Sequence, residues 1–375
     1  MPMSQKVQIY IRSRNEESSI WSNKNNSLCY ELDGKEYHID GFTEIYIKEN
    51  NQQIFDGAIK NLIQEFNIHH KNFTIFAYGQ TGSGKSYTMT GSFSQNIPGI
   101  IQLSLETLDY SDCTMSYFEI YNEKIYDLYL TKELKIYETD NKNQIKDLHI
   151  EKVNSKDEAM NFLSICIGNR KTAETIKNKS SSRSHSILQI TSHNATLNFI
   201  DLAGSEKAND DKKRLTEGNF INKSLLALAT LVANLIKEAP VGFRNSKLTR
   251  IIQNSVEDDA QMIGLFMLNP YKEQFSESIS SLNFACRMMN VDFTKAKKIK
   301  NDDNESTTEI IQEYEVENSS KLIEIYRDRI EALEYLVEVY MEEALDAKAK
   351  KIYGIEKQLF NLKIQGSRPR TEKNL

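Results

Sequence analysis

Short apolar runs alternate with amphipathic stretches through the first 290 or so residues. Residues 7–12, 73–78, 114–121 and 262–268 are strand-length runs rich in β-branched and aromatic side chains. Residues 188–202 have room for two strands and a turn. Residues 52–66, 156–169, 222–237, 247–255 and 276–289 repeat their apolar positions every three to four residues. That is the spacing of helices with one buried face. Strands interleaved with helices predict an α/β sheet. There is no internal repeat.

The pattern changes after Asn290. Residues 291–320 are polar, with Lys295, Lys297, Lys298 and Lys300 followed by acidic residues, and read as a linker. A heptad then runs through Ile323, Tyr326, Ile330, Leu333, Val337, Tyr340, Ala344 and Ala347. Lys351 breaks the seam, which resumes one residue later at Ile352, Ile355, Leu359 and Leu362. About four heptads suffice for a dimerising coiled coil; the alternative is a helix packed back on the head. The expected organisation is a head over 1–290, a linker over 291–320, a neck helix over 321–363 and a disordered tail over 364–375.

Composition narrows the function. Charged residues make up 27% of the 375 and hydrophobic ones 39%, as in ordinary soluble proteins. The apolar runs are too short to span a bilayer or to serve as a secretory signal. The net charge of −6 is uneven. Residues 301–375 hold 17 acidic and 11 basic side chains, leaving 36 of each in the first 300. The head is therefore no general nucleic-acid binder, and an acidic partner must be met by a local patch. Cys29, Cys113, Cys166 and Cys286 form no CxxC or Cys/His spacing, so neither a zinc site nor a disulfide framework is suggested. A reducing, cytoplasmic setting is expected.

Three segments carry chemistry. The run 73–78 leads directly into Gly79-Gln-Thr-Gly-Ser-Gly-Lys-Ser86, a GxxxxGKS/T loop between a strand and a helical pattern. Its glycines let backbone amides close around phosphates, and the helix that follows points its positive end at them. Lys85 supplies charge at the β- and γ-phosphates, and the Ser86 hydroxyl suits Mg²⁺. Asn178-Lys-Ser-Ser-Ser-Arg-Ser-His185 gathers hydroxyls, an arginine and a histidine, able to hold a metal, a water or developing phosphoryl charge. Asn198-Phe-Ile-Asp-Leu-Ala-Gly-Ser-Glu206 ends a strand on Asp201, placed to hold Mg²⁺ through water. Gly204 follows, free to turn its N–H onto a γ-phosphate. Glu206 could pair with Arg183 when the two loops close.

The stretches 77–89, 178–185 and 201–206 resemble the P-loop, switch I and switch II of kinesins. Residues 118–128, 221–226, 243–250 and 281–285 resemble further kinesin segments, in family order, over residues 7–290. The resemblance implies an α/β P-loop NTPase motor fold with a central, mostly parallel eight-stranded sheet flanked by helices on both faces. A C-terminal neck helix would follow. It implies ATP and Mg²⁺ as ligands. Gln80, Thr81, Gly82, Ser83, Gly84, Lys85 and Ser86 would hold the phosphates, Tyr87 would stack on adenine, and Arg12 would lie beside the base or ribose. Ser86, Ser182 and Asp201 would form the metal shell. Ser181 would complete the metal and water shell, and Gly204 would sense the γ-phosphate. Arg183 and Glu206 would form a gating ion pair, and Asn178 would help order switch I. Lys223, Arg244, Lys247 and Arg250 would face the acidic surface of microtubules.

The implied function is an ATP-driven, plus-end-directed microtubule motor, a microtubule-stimulated ATPase acting as a homodimer on the cytoskeleton, without membrane or nucleic-acid partners. The intact loop residues count against a nucleotide-independent scaffold. The missing Asn-Lys-x-Asp counts against a GTPase, and the absence of a basic insertion near the tip counts against a depolymerase. Several positions depart from the family pattern. Asn15 stands where the family has proline, and Ser86 where threonine is usual. The segment between Glu206 and Ile221 is shorter than usual, and Val241-Gly-Phe243 replaces a Pro-Tyr. Residues 320–330 resemble the neck of the centromere-associated kinesin group. The 30-residue linker, extended, reaches roughly 100 Å, so weak tension between two heads is expected.

Overall fold

Alternation along extended segments sets the architecture. The computed structural model describes residues 7–14, 16, 18–32, 35–139, 142–176, 181–206 and 212–291. β1 (Gln8–Ser13) leads into a small antiparallel sheet of β2 (Trp21–Lys24), β3 (Ser27–Leu32) and β4 (Lys35–Ile39), then β5 (Glu44–Tyr46). The helix expected over 52–66 is interrupted: α1 (Asn51–Ile54) and α2 (Lys60–His69) flank a π-helical turn at Phe55–Ile59. β6 (Phe73–Tyr78), α3 (Lys85–Thr90) and α4 (Ile100–Leu105) follow. Next come β7 (Cys113–Tyr121), β8 (Lys124–Asp127), β9 (Glu133–Thr139), β10 (Lys142–Lys146) and β11 (Glu151–Val153). α5 (Lys156–Ile176), β12 (His185–Ser192), β13 (Ala195–Asp201), α6 (Lys212–Ile236), α7 (Lys247–Glu257), β14 (Gln261–Leu268) and α8 (Phe275–Met288) complete the described chain.

The main sheet runs β10-β9-β8-β7-β12-β13-β6-β14-β1-β5, with β11 on β7. The resemblance implies eight strands; eleven are described, the surplus coming from short strands at the margins. β13, β6, β14, β1 and β5 pair in parallel, and β7 to β12 pair antiparallel. Successive side chains enter opposite faces. On β1, Tyr10 joins one core cluster while Ile9 and Ile11 join the other. On β14, Ile263, Leu265 and Met267 face the first, and Met262, Phe266 and Leu268 the second. The first cluster packs against α2, α4 and α5, the second against α6, α7 and α8. The small sheet docks through Trp21. Its indole N–H donates to the Asn269 carbonyl at 2.7 Å, and its ring stacks on Phe275 with centroids 5.7 Å apart.

Two units divide the chain, residues 1–302 and 303–375. The expectations for Asn15, Asn178, the linker beyond Val291, the neck helix and the tail lie outside the described residues. Among the described residues, no helix is long and apolar enough to cross a membrane.

Candidate functional site

Parallel strands deliver their carboxyl ends to one edge of the sheet, and in open α/β sheets ligands bind in the crevice beyond those ends. β6 lies between β13 and β14, and its C-terminal loop opens there. Asp201 pairs in register with Ala77, so the acidic strand end stands beside the start of the glycine-rich loop. At Gly79, φ is +147°, and a β-carbon would come within 2.4 Å of the Met267 carbonyl oxygen. Only glycine lets the loop pass this close to β14.

A cleft of about 760 Å³ opens over this loop. Its lining includes Arg12, Arg14, Lys48, Glu49, Thr81, Gly82, Gly84, Lys85, Ser86, Tyr87 and Ser182. Lys85 donates to the carbonyls of Gly79 at 2.7 Å and Gln80 at 2.9 Å. Burial lowers its pKa, opposed by Asp201 and Glu206. Arg12 is buried, donates to Asn51 Oδ1 at 2.7 Å and to Thr88 Oγ1, and stands 5.6 Å from the Tyr87 ring centre. Burial pulls its pKa down to about 10, which leaves it a cation at neutral pH. Tyr87 keeps 39% of its surface exposed, so its ring is open to a ligand. Four cations line the cleft against two carboxylates, a balance suited to a polyphosphate. Arg14 and Lys48 were not singled out from the sequence as site residues.

Two expected phosphate ligands turn their side chains elsewhere. The Gln80 amide donates to Gln274 Oε1 at 2.7 Å and accepts from Ser278 Oγ at 3.4 Å, tying the loop to α8. Ser83 Oγ donates back to the Gln80 carbonyl at 2.8 Å. The helix after the loop is short, Lys85–Thr90.

The metal expectation can be tested on chemistry. Ser86 Oγ donates to Asp201 Oδ2 at 2.6 Å. Asp201 Oδ1 is buried without a hydrogen-bond partner. An orphaned carboxylate oxygen beside a serine hydroxyl fits a hard oxygen-seeking cation such as Mg²⁺.

The two switch-like segments meet at the loop. Gly204 N–H donates to the Ser182 carbonyl at 2.8 Å, and Ser205 N–H to the Gly79 carbonyl at 3.2 Å. Glu206 accepts from Thr81 N–H at 2.7 Å and from the Thr81 hydroxyl. Glu206 thus reaches the phosphate loop, a contact the sequence did not announce. Ser181 and Arg183 lie in a 3-10 turn, Ser181–Arg183, that leads into β12.

Two buried residues brace these segments. Arg170 of α5 donates to Glu119 Oε1 at 3.3 Å, Ser186 Oγ at 3.1 Å and Ser184 Oγ at 3.2 Å, with Asp201 Oδ2 3.7 Å away. His185 Nδ1 accepts from Ala203 N–H at 3.0 Å, which leaves Nε2 to carry the proton and donate to Ser224 Oγ of α6 at 2.7 Å. Burial first, then Arg170 and Lys85, push the His185 pKa down to about 3. The folded protein therefore keeps His185 neutral, whereas the unfolded chain protonates it below about pH 6.5. Its contribution is complete above that pH and is lost as pH falls toward 3. We expect stability to decline below about pH 6.5 by as much as 1.4 kcal/mol per pH unit from this residue. Urea unfolding at several pH values should show a flatter decline in His185→Gln.

The four expected filament contacts occupy neighbouring elements. Lys223 is exposed on α6. Arg244 lies in the turn Phe243–Asn245, and Lys247 and Arg250 in α7. Arg244 Nη2 reaches Glu138 Oε2 at 2.7 Å, Lys247 N–H donates to Glu123 Oε2 at 3.0 Å, and Arg250 Nε donates to Asn143 Oδ1 at 2.9 Å. Side chains of β9 and β10 thus orient Arg244 and Arg250, and Glu123 of the β7–β8 turn fixes the backbone at Lys247.

A family model for the kinesin motor domain matches residues 3–291. The Kinesin-like protein KIN-8B of Arabidopsis thaliana is 36% identical over 251 residues, covering 59% of this chain and 31% of the relative. Kinesin-like protein tea2 of Schizosaccharomyces pombe is 34% identical over 289 residues, 68% of this chain and 46% of the relative. Kinesin-like protein KIP2 of Eremothecium gossypii is 34% identical over 342 residues, 76% of this chain and 49% of the relative. The chain thus spans less than half the length of each of these relatives. A solved fast kinesin aligns with TM-score 0.70 and 28% identity, over 77% of this chain and 92% of that one. A KIF14 dimer, solved in a two-heads-bound state with AMP-PNP and a microtubule, aligns with TM-score 0.68 and 25% identity, over 77% of this chain and 95% of that one. With its characteristic loops meeting at one cleft and the family model matched over residues 3–291, the chain belongs to the kinesin family and carries a kinesin motor domain.

Proposed function

We propose that this chain is an ATP-driven microtubule motor, moving toward the plus end. The observation that carries the reading is the junction of Gly204, Ser182, Thr81 and Glu206 over the phosphate loop. A γ-phosphate entering that junction meets all four residues, so its presence or loss moves both switch segments together. Lys85 and the loop amides hold the β- and γ-phosphates. Ser86, Ser182 and Asp201 would hold Mg²⁺, whose chemistry there would be to offset negative charge on the phosphoryl oxygens. The reaction is in-line attack of water on the γ-phosphorus. The bond to the bridging oxygen of ADP breaks, and the water's proton ends on phosphate or solvent. Ser181 orients the water, and Arg183 meets the developing charge. The chain's work is positioning and charge stabilisation. Arg183 and Glu206 pair when the switches close, which requires Glu206 to leave Thr81.

His185 extends the coupling to α6, where Lys223 stands, and Arg244 of the preceding turn with Lys247 and Arg250 of α7 completes a basic face for acidic tubulin. The KIF14 relative was solved on a microtubule as a dimer. By analogy, this motor works as a homodimer through residues 321–363 on the cytoplasmic cytoskeleton.

Steady-state ATP hydrolysis with and without taxol-stabilised microtubules tests the reading, together with gliding of polarity-marked filaments. Strong stimulation with gliding that leads with the minus end is expected. Tight binding without stimulated turnover would instead make the chain a scaffold.

A further inference from the structure

The cysteines show no metal spacing along the chain, but the β3–β4 hairpin brings distant residues together. Its register sets Cys29 opposite His38. Glu36 precedes His38 by two residues on β4 and so shares its face. Cys29 Sγ stands 3.1 Å from His38 Nδ1, and Glu36 Oε2 stands 3.7 Å from His38 Nε2. One ligand atom from each of the three side chains lies within 4.8 Å of the other two. Lys24 of β2 holds Glu36 Oε1. Cys29 is fully buried, whereas the His38 and Glu36 side chains are 47% and 43% exposed. The thiol is therefore enclosed, whereas the imidazole and the carboxylate each keep an open side to solvent.

We propose that Cys29, His38 and Glu36 form a site for a thiophilic divalent cation, with zinc the best chemical match, that clips β3 to β4. Thiolate, imidazole and carboxylate are the three ligand types zinc takes from proteins. Tetrahedral bonds of about 2.0–2.3 Å set neighbouring ligand atoms roughly 3.5 Å apart. The sulfur–nitrogen contact needs to open only slightly. Glu36 has to swing inward, which its exposed, rotatable chain permits once Lys24 releases one oxygen. Solvent supplies the fourth ligand from the open side. Binding displaces the Cys29 thiol proton to solvent, so thiolate and carboxylate together cancel the metal's charge.

The site differs from the phosphate-loop metal in donor chemistry, sulfur and nitrogen against oxygen alone, and this separates them experimentally. The full chain, with Mg²⁺ and ADP in excess, is titrated with Co²⁺ as a spectroscopic stand-in. Zn²⁺ affinity is then measured against a chromophoric chelator. We expect one Co²⁺ per chain, with a thiolate-to-cobalt charge-transfer band that Cys29→Ser abolishes. Loss of a direct ligand should cost at least the roughly tenfold seen for outer partners of metal ligands. His38→Gln and Glu36→Gln should therefore weaken Zn²⁺ binding by about tenfold or more. Both residues are largely exposed, so these variants keep the fold if Cys29→Ser does not. Zn²⁺ should raise the thermal midpoint of the wild type but not of Cys29→Ser. The proposal is overturned if the wild type shows no thiolate band. It is also overturned if the band survives Cys29→Ser, which would assign the sulfur to Cys113, Cys166 or Cys286, or if His38→Gln leaves Zn²⁺ affinity unchanged.

Discussion

Gly204→Ala should cut microtubule-stimulated ATP turnover by about a hundredfold or more while leaving the fold and ADP binding near wild type. Gly204 does not adopt the left-handed backbone that L-residues avoid, so alanine is acceptable to the chain locally. The conflict is with neighbours. A β-carbon at Gly204 would stand 2.4 Å from Glu206 Oε2 and 2.4 Å from Thr81 Oγ1. Either the Glu206–Thr81 contact breaks, or the 204–206 segment shifts and carries the Gly204 N–H off the Ser182 carbonyl. The first loosens the junction over the phosphate loop, and the second displaces the amide that the proposed function turns onto the γ-phosphate. Removing one preorganised donor from a site of developing oxyanion charge typically costs 10²- to 10³-fold in turnover, or about 2.7–4 kcal/mol. In the phosphate loop the atom met is the Thr81 hydroxyl, the end of a side chain that can turn aside, so ADP affinity should change little. Stimulated turnover within about threefold of wild type would show that Gly204 does not act this way. Lost ADP binding would place the damage in the phosphate loop instead.

The sequence made the outline of this site legible because its chemistry is local. A phosphate loop is one strand end, one turn and one helix start, and residues 73–86 contain all three. The central strands were legible for a similar reason. Buried on both faces, they read as apolar runs, and the expected boundaries at 73–78 match β6. The small sheet β2–β4 escaped notice because its exposed positions are polar and its strands are short. Residues 52–66 were readable as helical, but the π turn at Phe55–Ile59 leaves no mark in a pattern averaged over several turns. The contacts between Glu206 and Thr81, between Arg250 and Asn143, and between Cys29 and His38 depend on register and packing. Gln80 shows the opposite failure: it sits within the motif, yet its side chain serves the junction with α8.

Arg170 was the least visible of the functional residues, and replacing it should have the largest effect on stability. It lies near the end of a long amphipathic helix with nothing in its neighbourhood to mark it. In the fold its guanidinium is enclosed by Glu119, Ser184, Ser186 and Asp201, and both carboxylates are buried. Ser184 also donates to Glu119 at 2.6 Å, so the group forms one network between α5, β7 and the strand ends at the cleft. In Arg170→Ala, Glu119 and Asp201 would remain buried with their cation gone. Breaking a buried pair from one side costs about 3–5 kcal/mol, a large share of the 5–15 kcal/mol typical of a folded domain. The thermal midpoint should fall by roughly 10 °C. Arg170→Met tests the origin of the loss, since it restores much of the volume but none of the charge. If unpaired carboxylates dominate, Arg170→Met will be nearly as unstable as Arg170→Ala, and adding Glu119→Gln will recover part of the loss. If packing dominates, methionine alone will recover most of it. A wild-type midpoint in Arg170→Ala would mean that the network contributes nothing net. The position of Asp201 would then rest on β13 and on its bond from Ser86.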